Sequence, residues 1–527
     1  MALTSPADNS SASVDSVLVA GTVSDSAAAV SVKLNGGEAA SITADSDGSF
    51  SKIITGLKSG DNTIQVDAIK GVDSATISRT VKFSVNSLEG GKSAATGIES
   101  ELVATTASGS SQVRVFDRQG NLKAQFFAFD KKFRGQFKVI TADIDGDGYK
   151  EIIAFTGKGF GPQIRVFDHR GNLLAQFFAY QKSFRGGIEI TAADINGDGR
   201  ADLIVKPLSG SSNIRAYTYN SSIKKFALLD WFMAYGEKFR GKINLTAADI
   251  DADGKAEIIT VPENAGGPNV RIYSYNSATS KIELLDWFMA YGNSFRGGVN
   301  LAVGDVNGDG LLEIITAPQG GGGPNVRAYQ YNTSTKKFSL LSWFMAYSEK
   351  FRGGVNVKLA DVNGDGSADI ITSPANSGGP NIRAYTYNAA ISSFELLDWF
   401  MAYDANSRGG VEVSIGDVDG NGKSEIITLL RSQGGLNMRA YQYNSASGQM
   451  ELLDSAEAYS ASFNGQIEIK TADLDGDGDS EIIAASAKFG APNARIYDFT
   501  GGKLNMVKSF AAYGSNFRGG VRVVMGR

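Results

Sequence analysis

The sequence predicts an all-β protein, an eight-bladed β-propeller (seven blades being the alternative count) preceded by a β-sandwich. Three observations carry this prediction. Asp-rich strings recur at spacings of 51, 55 and then four times 56 residues. Each interval holds four short strand-like segments. Glycine outnumbers proline 63 to 10 in 527 residues, which favours tight turns over helix, because glycine is costly inside a helix and cheap where the chain reverses.

The repeat is the strongest of the three. Asp-Val-Asn-Gly-Asp-Gly-Leu-Leu-Glu-Ile-Ile at 305–315 recurs at 143–153, 194–204, 249–259, 361–371, 417–427 and 473–483. Between copies run Asn-Val-Arg-Ala-Tyr-Gln-Tyr-Asn (325–332), Leu-Leu-Ser-Trp-Phe-Met-Ala-Tyr (340–347) and Phe-Arg-Gly-Gly-Val-Asn-Val (351–357). Each is β-branched or aromatic and bounded by Gly, Asn, Ser or Pro, the signature of a strand, and four such strands make one blade. The Asp-rich string occurs seven times, whereas the arginine strand occurs eight times, at Arg114, Arg165, Arg215, Arg271, Arg327, Arg383, Arg439 and Arg495. Glu101–Thr105 matches a second strand without its loop, and Val521–Met525 matches a first strand with nothing after it. Pairing these ends over 520–526 would close the ring and remove its exposed edges.

The chain divides accordingly. Residues 1–13 read as a disordered or extended polar arm, 14–86 as a sandwich with turn signals every few residues, 87–97 as a Gly/Ser linker, and 98–527 as the propeller. The absence of cysteine excludes a disulfide framework, a thiol nucleophile and a thiolate metal site. A lone histidine, His169, leaves no basis for a His-based triad or zinc cluster and reads as a surface turn residue. The net charge of −5, without a basic block, argues against nucleic acid, and no apolar run approaches the roughly 20 residues of a spanning helix.

Within Asp305-Val-Asn307-Gly-Asp309-Gly310-Leu-Leu-Glu313, side-chain oxygens fall at positions one, three, five and nine. Glycine at position six permits the turn that brings them together, and a hard cation takes oxygen ligands in this way. An EF-hand is excluded, since its position-twelve glutamate is replaced here by Ala154, Val205, Thr260, Thr316, Thr372, Thr428 or Ala484 and the flanks are strands. Clustered carboxylates without a cation would repel one another.

These loops and the apolar strand after each resemble the FG-GAP repeats of integrin α-chain propellers and their bacterial relatives, over about residues 97–527. The N-terminal unit is similar to bacterial Ig-like modules of secreted surface proteins. The resemblance implies ligand roles for Asp143, Asp145, Asp147 and Glu151; for Asp194, Asn196, Asp198 and Asp202; and for Asp249, Asp251, Asp253 and Glu257. It implies the same for Asp305, Asn307, Asp309 and Glu313, for Asp361, Asn363, Asp365 and Asp369, for Asp417, Asp419, Asn421 and Glu425, and for Asp473, Asp475, Asp477 and Glu481. About seven structural Ca²⁺ ions are therefore expected, and seven would carry the formal charge from −5 to +9. Weak calcium sites fill outside cells rather than in the cytosol, so the expected location is extracellular or cell-surface, with the export signal not present in this chain.

On the opposite face, Arg134, Arg185, Arg240, Arg296, Arg352, Arg408 and Arg518 precede the innermost strands, with Asn464 at the eighth place. Such a ring would hold carboxylates or sulfates, while the bland reading has each arginine capping carbonyls of its own blade. Trp231, Trp287, Trp343 and Trp399 are expected to pack between blades. No acid–base pair with supporting residues breaks the repeat, so no enzyme is expected. The expected function is adhesion or ligand binding at the cell surface, with a glycan or a protein as partner. A structural subunit of a surface layer or filament, built from copies of itself, is the alternative, and an enzyme with a carboxylate site is third.

Overall fold

The computed structural model describes residues 1–6, 10–12, 16–37, 39–44, 48–55, 60–71, 73–83, 101–107, 109–376, 378–408, 410–430, 437–460, 463, 465–488, 492–514, 517 and 519–525. The linker expected over 87–97, together with Asn464 and Arg518, lies outside the described residues.

The N-terminal unit is a two-sheet sandwich. One sheet holds Ala2–Ser5, Ser16–Thr22 and Ser49–Thr55; the other holds Ser10–Ala12, Asp73–Phe83, Gly60–Lys70, Ala29–Leu34 and Ala40–Ile42. Val19, Val30, Val32, Phe50, Ile64, Val66 and Val81 fill the space between them. The sequence reading set residues 1–13 apart as an arm, and this is corrected. Ala2–Ser5 pairs antiparallel with Ser16–Thr22, and Ser10–Ala12 pairs parallel with Asp73–Phe83. The physical cause is apolar: Met1 and Leu3 pack on the sandwich core. The approach is so close that a Cβ on Gly21 would stand 2.3 Å from the Ala2 carbonyl oxygen.

From residue 102 onward the described residues form eight four-stranded antiparallel sheets, numbered here as blades 1 to 8 in chain order. Blade 5 is representative, with strands Val299–Gly304, Glu313–Pro318, Asn325–Asn332 and Lys337–Met345 paired in sequence. Its second strand is buried at every position, the polar Glu313 and Thr316 included. Blade 1 is assembled from both ends: Val521–Met525 takes the first-strand place beside Leu102–Thr106, with Val524 opposite Val103.

Eight hydrophobic clusters join successive blades, and the last joins blade 8 to blade 1 through Leu474, Ile483, Leu102 and Val523. Such a closed ring is a β-propeller. Polar stitches repeat at each junction. In blades 4 and 5, Tyr291 donates to the Asn325 carbonyl at 2.9 Å and Tyr329 donates back to the Ala290 carbonyl at 3.0 Å. Arg327 lies 5.1 Å from the Tyr291 ring centroid and donates to Ala290 O at 2.8 Å. First strands are innermost, since one cavity is lined by Asn300, Asn356, Lys358 and Val411 from three consecutive blades. Fourth strands therefore form the outer rim.

Candidate metal centres

Each Asp-rich loop joins the first and second strands of a blade. In blade 5, Asp305 folds the loop around itself: Gly308 N–H donates to Oδ1 at 2.7 Å and Gly310 N–H to Oδ2 at 2.9 Å. Both glycines have positive φ, 76° and 87°, which side chains resist. Asp309 N–H donates to Asn307 Oδ1 at 2.8 Å, and Leu311 N–H to Asp309 Oδ1 at 2.9 Å. Glu313 opens the second strand and turns back to accept Val306 N–H at 3.1 Å. The same bonds organise the loops of Asp143, Asp194, Asp361 and Asp473. The loop of Asp249 departs at position four, where Ala252 adopts φ 56°.

The position-nine acids are the buried members. Glu151, Asp202, Glu257, Glu313, Asp369, Glu425 and Glu481 are between 1 and 5% exposed. Burial is the main reason their carboxyls are raised, and the other acids of each loop add to it. Glu151, Glu313, Asp369, Glu425 and Glu481 are pushed up to about 8, Asp202 to about 7 and Glu257 to about 9. The structure brings Asp143, Asp145 and Glu151 together with ligand atoms within 4.8 Å of one another, and does the same for Asp249, Asp251 and Glu257, for Asp417, Asp419 and Glu425, and for Asp473, Asp475 and Glu481. In the loops with asparagine at position three, the amide reaches the same acid: Asn196, Asn307 and Asn363 donate to Asp202, Glu313 and Asp369 at 3.2, 3.1 and 3.3 Å.

These groups fit a hard cation. All the donors are oxygens, as such ions require. Asp251 Oδ1 and Glu425 Oε1 are buried and have no hydrogen-bond partner among the described residues. A buried acceptor left in that state is costly, and a cation would satisfy it.

The loops are also tied to one another. The position-eight N–H of one loop donates to the position-one carbonyl of the loop before it. Ala201 bonds Asp143 at 2.9 Å, Ala256 bonds Asp194 at 2.7 Å, Ala368 bonds Asp305 at 2.8 Å, Ser424 bonds Asp361 at 2.8 Å and Ser480 bonds Asp417 at 2.6 Å. At the ring's seam, where blade 1 has no such loop, Arg118 pairs with Asp475 instead. Sequence reading missed Asp479. It stands at position seven of the last loop, where three of the other loops carry Arg200, Lys255 or Lys423, and it clusters with Asp477 and Glu481. The signal was an extra aspartate in the motif itself.

The opposite face holds the arginines. Arg134, Arg185, Arg240, Arg296, Arg352 and Arg408 are exposed, yet each spends Nη1 on two carbonyls of its own turn. Arg296, for example, donates to Asn293 O at 2.5 Å and Phe295 O at 2.7 Å. The tryptophans are not packed between blades as the sequence suggested: Trp231, Trp287, Trp343 and Trp399 are 51, 54, 52 and 50% exposed. Phe232 rather than Trp231 turns into the junction, its ring tilted against that of Tyr273 at 4.2 Å between centroids. His169 is stacked on Tyr149 at 4.8 Å.

In the channel wall, Glu189 and Lys206 break the repeat, since Val261, Ala317 and Ser373 stand where Lys206 does. Lys206 is 7% exposed and donates to Glu189 at 2.8 Å and to Ile243 O at 2.7 Å, while Lys138 holds the other Glu189 oxygen at 2.7 Å. Burial alone would raise the Glu189 carboxyl, but the two ammonium groups outweigh it and pull it down to about 2.

The FG-GAP-like repeat family matches residues 143–205, 194–260, 249–316 and 305–372, the stretches from one Asp-rich loop to the next. Residues 143–372 carry FG-GAP-like repeats. The N-terminal sandwich, residues 1–86, matches domain B of glucodextranase, an Ig-like domain. No curated protein matches the chain. Among solved structures, the C-terminal WD40 domain of Sif2 aligns over 79% of this chain and 100% of its own, at 13% identity and a TM-score of 0.46. The Dos1 propeller aligns over 80% and 98% at 11% identity and 0.44. The Vibrio cholerae biofilm matrix protein Bap1 aligns over 81% and 83% at 14% identity and 0.33. Among the described residues, no helix is long and apolar enough to cross a membrane.

Proposed function

We propose that this FG-GAP repeat protein is an exported adhesion or ligand-binding protein, with a ring stiffened by about seven Ca²⁺ ions held in its Asp-rich loops. One observation carries the calcium reading: a buried position-nine acid, raised by burial and by like charges, recurs in all seven loops. A structural cation offsets both causes at once, and its binding energy adds to folding. The ligand set is Asp or Asn at positions one, three and five plus the acid at position nine, as in Asp305, Asn307, Asp309 and Glu313. Millimolar calcium is an extracellular condition, which supports export. Repeated surface loops on a rigid ring support binding rather than turnover, and the ligand class is a cell-surface glycan or protein.

Equilibrium dialysis and melting test the reading. About seven ions per chain should be retained in calcium, and EDTA should lower the melting temperature by more than ten degrees. Retention of two or fewer ions, or melting indifferent to EDTA, sinks the calcium assignment. Growth of particle size in calcium without any added ligand points instead to a surface-layer subunit.

A further inference from the structure

The outer rim carries four aromatic side chains that the fold does not use. Trp231, Trp287, Trp343 and Trp399 lie on the fourth strands of blades 3 to 6, each about half exposed. Each faces the third-strand arginine in register: Trp287 is opposite Arg271, and Trp343 opposite Arg327. In blades 1, 2, 7 and 8 that register place holds Gln125, Gln176, Ser455 and Ser509. The indoles thus occupy one contiguous half of the ring. Leu228, Leu284, Leu340 and Leu396, 45 to 47% exposed, accompany them on the same strands. Four half-exposed tryptophans in series are unusual on a surface and mark an interaction site.

Shape and charge select the occupant. The rim of a closed ring is convex, so a rigid globular partner touches one or two blades, whereas a flexible chain follows the curve across four. On blades 4 and 5 the cations of the indole-bearing sheets are committed elsewhere. Arg271 and Arg327 turn onto the preceding blade, donating to Ala234 O at 2.9 Å and Ala290 O at 2.8 Å. Lys281 and Lys337 of the same strands are paired with Asp230 and Asp286 at 2.9 and 2.7 Å. Single-stranded nucleic acid needs a cationic track beside its stacking platform, and on these two blades those charges are occupied. An uncharged chain with flat apolar faces remains, and sugar rings present such faces to an indole.

We propose that blades 3 to 6 form a platform for an uncharged polysaccharide, with sugar rings spaced along one chain stacking on Trp231, Trp287, Trp343 and Trp399. This rests on the ligand-binding reading above and locates it on the rim rather than at the arginine turns. Each stacking contact is weak, and the four act in series, so affinity depends on chain length.

The chain supplies its own reporter, because these four are its only tryptophans and intrinsic emission reads this rim alone. Full-length protein in millimolar calcium is titrated with laminarin, dextran, yeast mannan and hydroxyethylcellulose, and with the corresponding disaccharides, followed by emission and by calorimetry. At least one polysaccharide should shift the emission and bind at least a hundredfold tighter than its disaccharide. Trp287→Gln and Trp343→Gln copy residues found at that place in blades 1 and 2, so the fold is retained. Each should weaken binding about five- to tenfold without changing the melting temperature. Calorimetric binding with unchanged emission, or binding intact after all four Trp→Gln changes, overturns the rim proposal and leaves the ligand-binding reading standing. No binding of any polysaccharide overturns the rim proposal and leaves a protein or a charged glycan as the ligand of the broader reading. Emission shifted by a proline-rich peptide or by oligo-dT, and by no polysaccharide, also overturns the proposal.

Discussion

At the scale of single residues, Lys206 shows how a departure from the repeat is absorbed. Its ammonium is buried beside the channel, and Glu189 is what makes that tolerable. Glu189→Gln should lower stability by ~3 kcal/mol, because it leaves a buried charge uncompensated, and adding Lys206→Val, the residue type at 261, should restore most of it. The pH dependence has a definite sign. Glu189 is depressed to about 2 from an unfolded value of about 4.3, so the pair's contribution is full above about pH 4.5 and is lost as pH falls toward 2. Wild-type and Glu189→Gln melting curves should therefore converge across that window; a gap that stays constant to pH 2 contradicts the pairing. Ala252 offers the opposite case. It holds φ 56° where the other described loops use glycine, and Ala252→Gly should stabilise the protein by about 1 kcal/mol in both calcium and EDTA, measured by scanning calorimetry. Both residues were visible in the sequence as breaks in a repeat, but only the structure shows Lys206 facing a carboxylate.

At the scale of elements, the strands, the loop spacing and the pairing of the two chain ends were legible because seven copies of one motif override the ambiguity of any single segment. The tryptophans were not, for a reason of register. A bulge between Ala216 and Tyr217 leaves one extra residue in the fourth strand, so Leu228 and Trp231, three apart, share a face, and Phe232 turns into the junction. Alternation counted from sequence cannot decide which member of a Trp-Phe pair faces inward once a bulge intervenes. The fourth strands also reveal a clamp between neighbouring blades. Asp230 accepts Ile282 N–H at 2.8 Å and Lys281 at 2.9 Å; Asp286 accepts Phe338 N–H at 2.8 Å and Lys337 at 2.7 Å. Between blades 5 and 6 the corresponding residues are Ser342 and Ser393, so this clamp is missing there. Ser342→Asp with Ser393→Lys should rebuild it and add ~1 kcal/mol, most of it from the charged acceptor on a backbone N–H. Chemical denaturation compares the double variant with each single change. A Ser342→Asp change that by itself adds no stability would deny that a clamp had formed.

At the scale of the whole molecule, ring closure and the Asp-rich loops act on the same seam by different means. Val521–Met525 supplies the inner strand of blade 1, and Val523 joins the cluster that binds blade 8 to blade 1. The loop of blade 8 reaches the same boundary through Asp475 and Arg118. Removing residues 521–527 strips blade 1 of its inner strand and exposes the edge of Leu102–Thr106, whose five residues are all buried in the closed ring. An exposed apolar edge of this kind pairs with other copies of itself. The truncated chain should therefore form concentration-dependent oligomers by light scattering, and a synthetic peptide spanning 519–527 added in trans should suppress them. Calcium should not rescue the truncation, because no Asp-rich loop lies in blade 1, whereas it should rescue intact protein from EDTA. Were calcium to restore a monomeric, cooperatively melting truncated ring, the loops rather than the last strand would be what holds the circle closed.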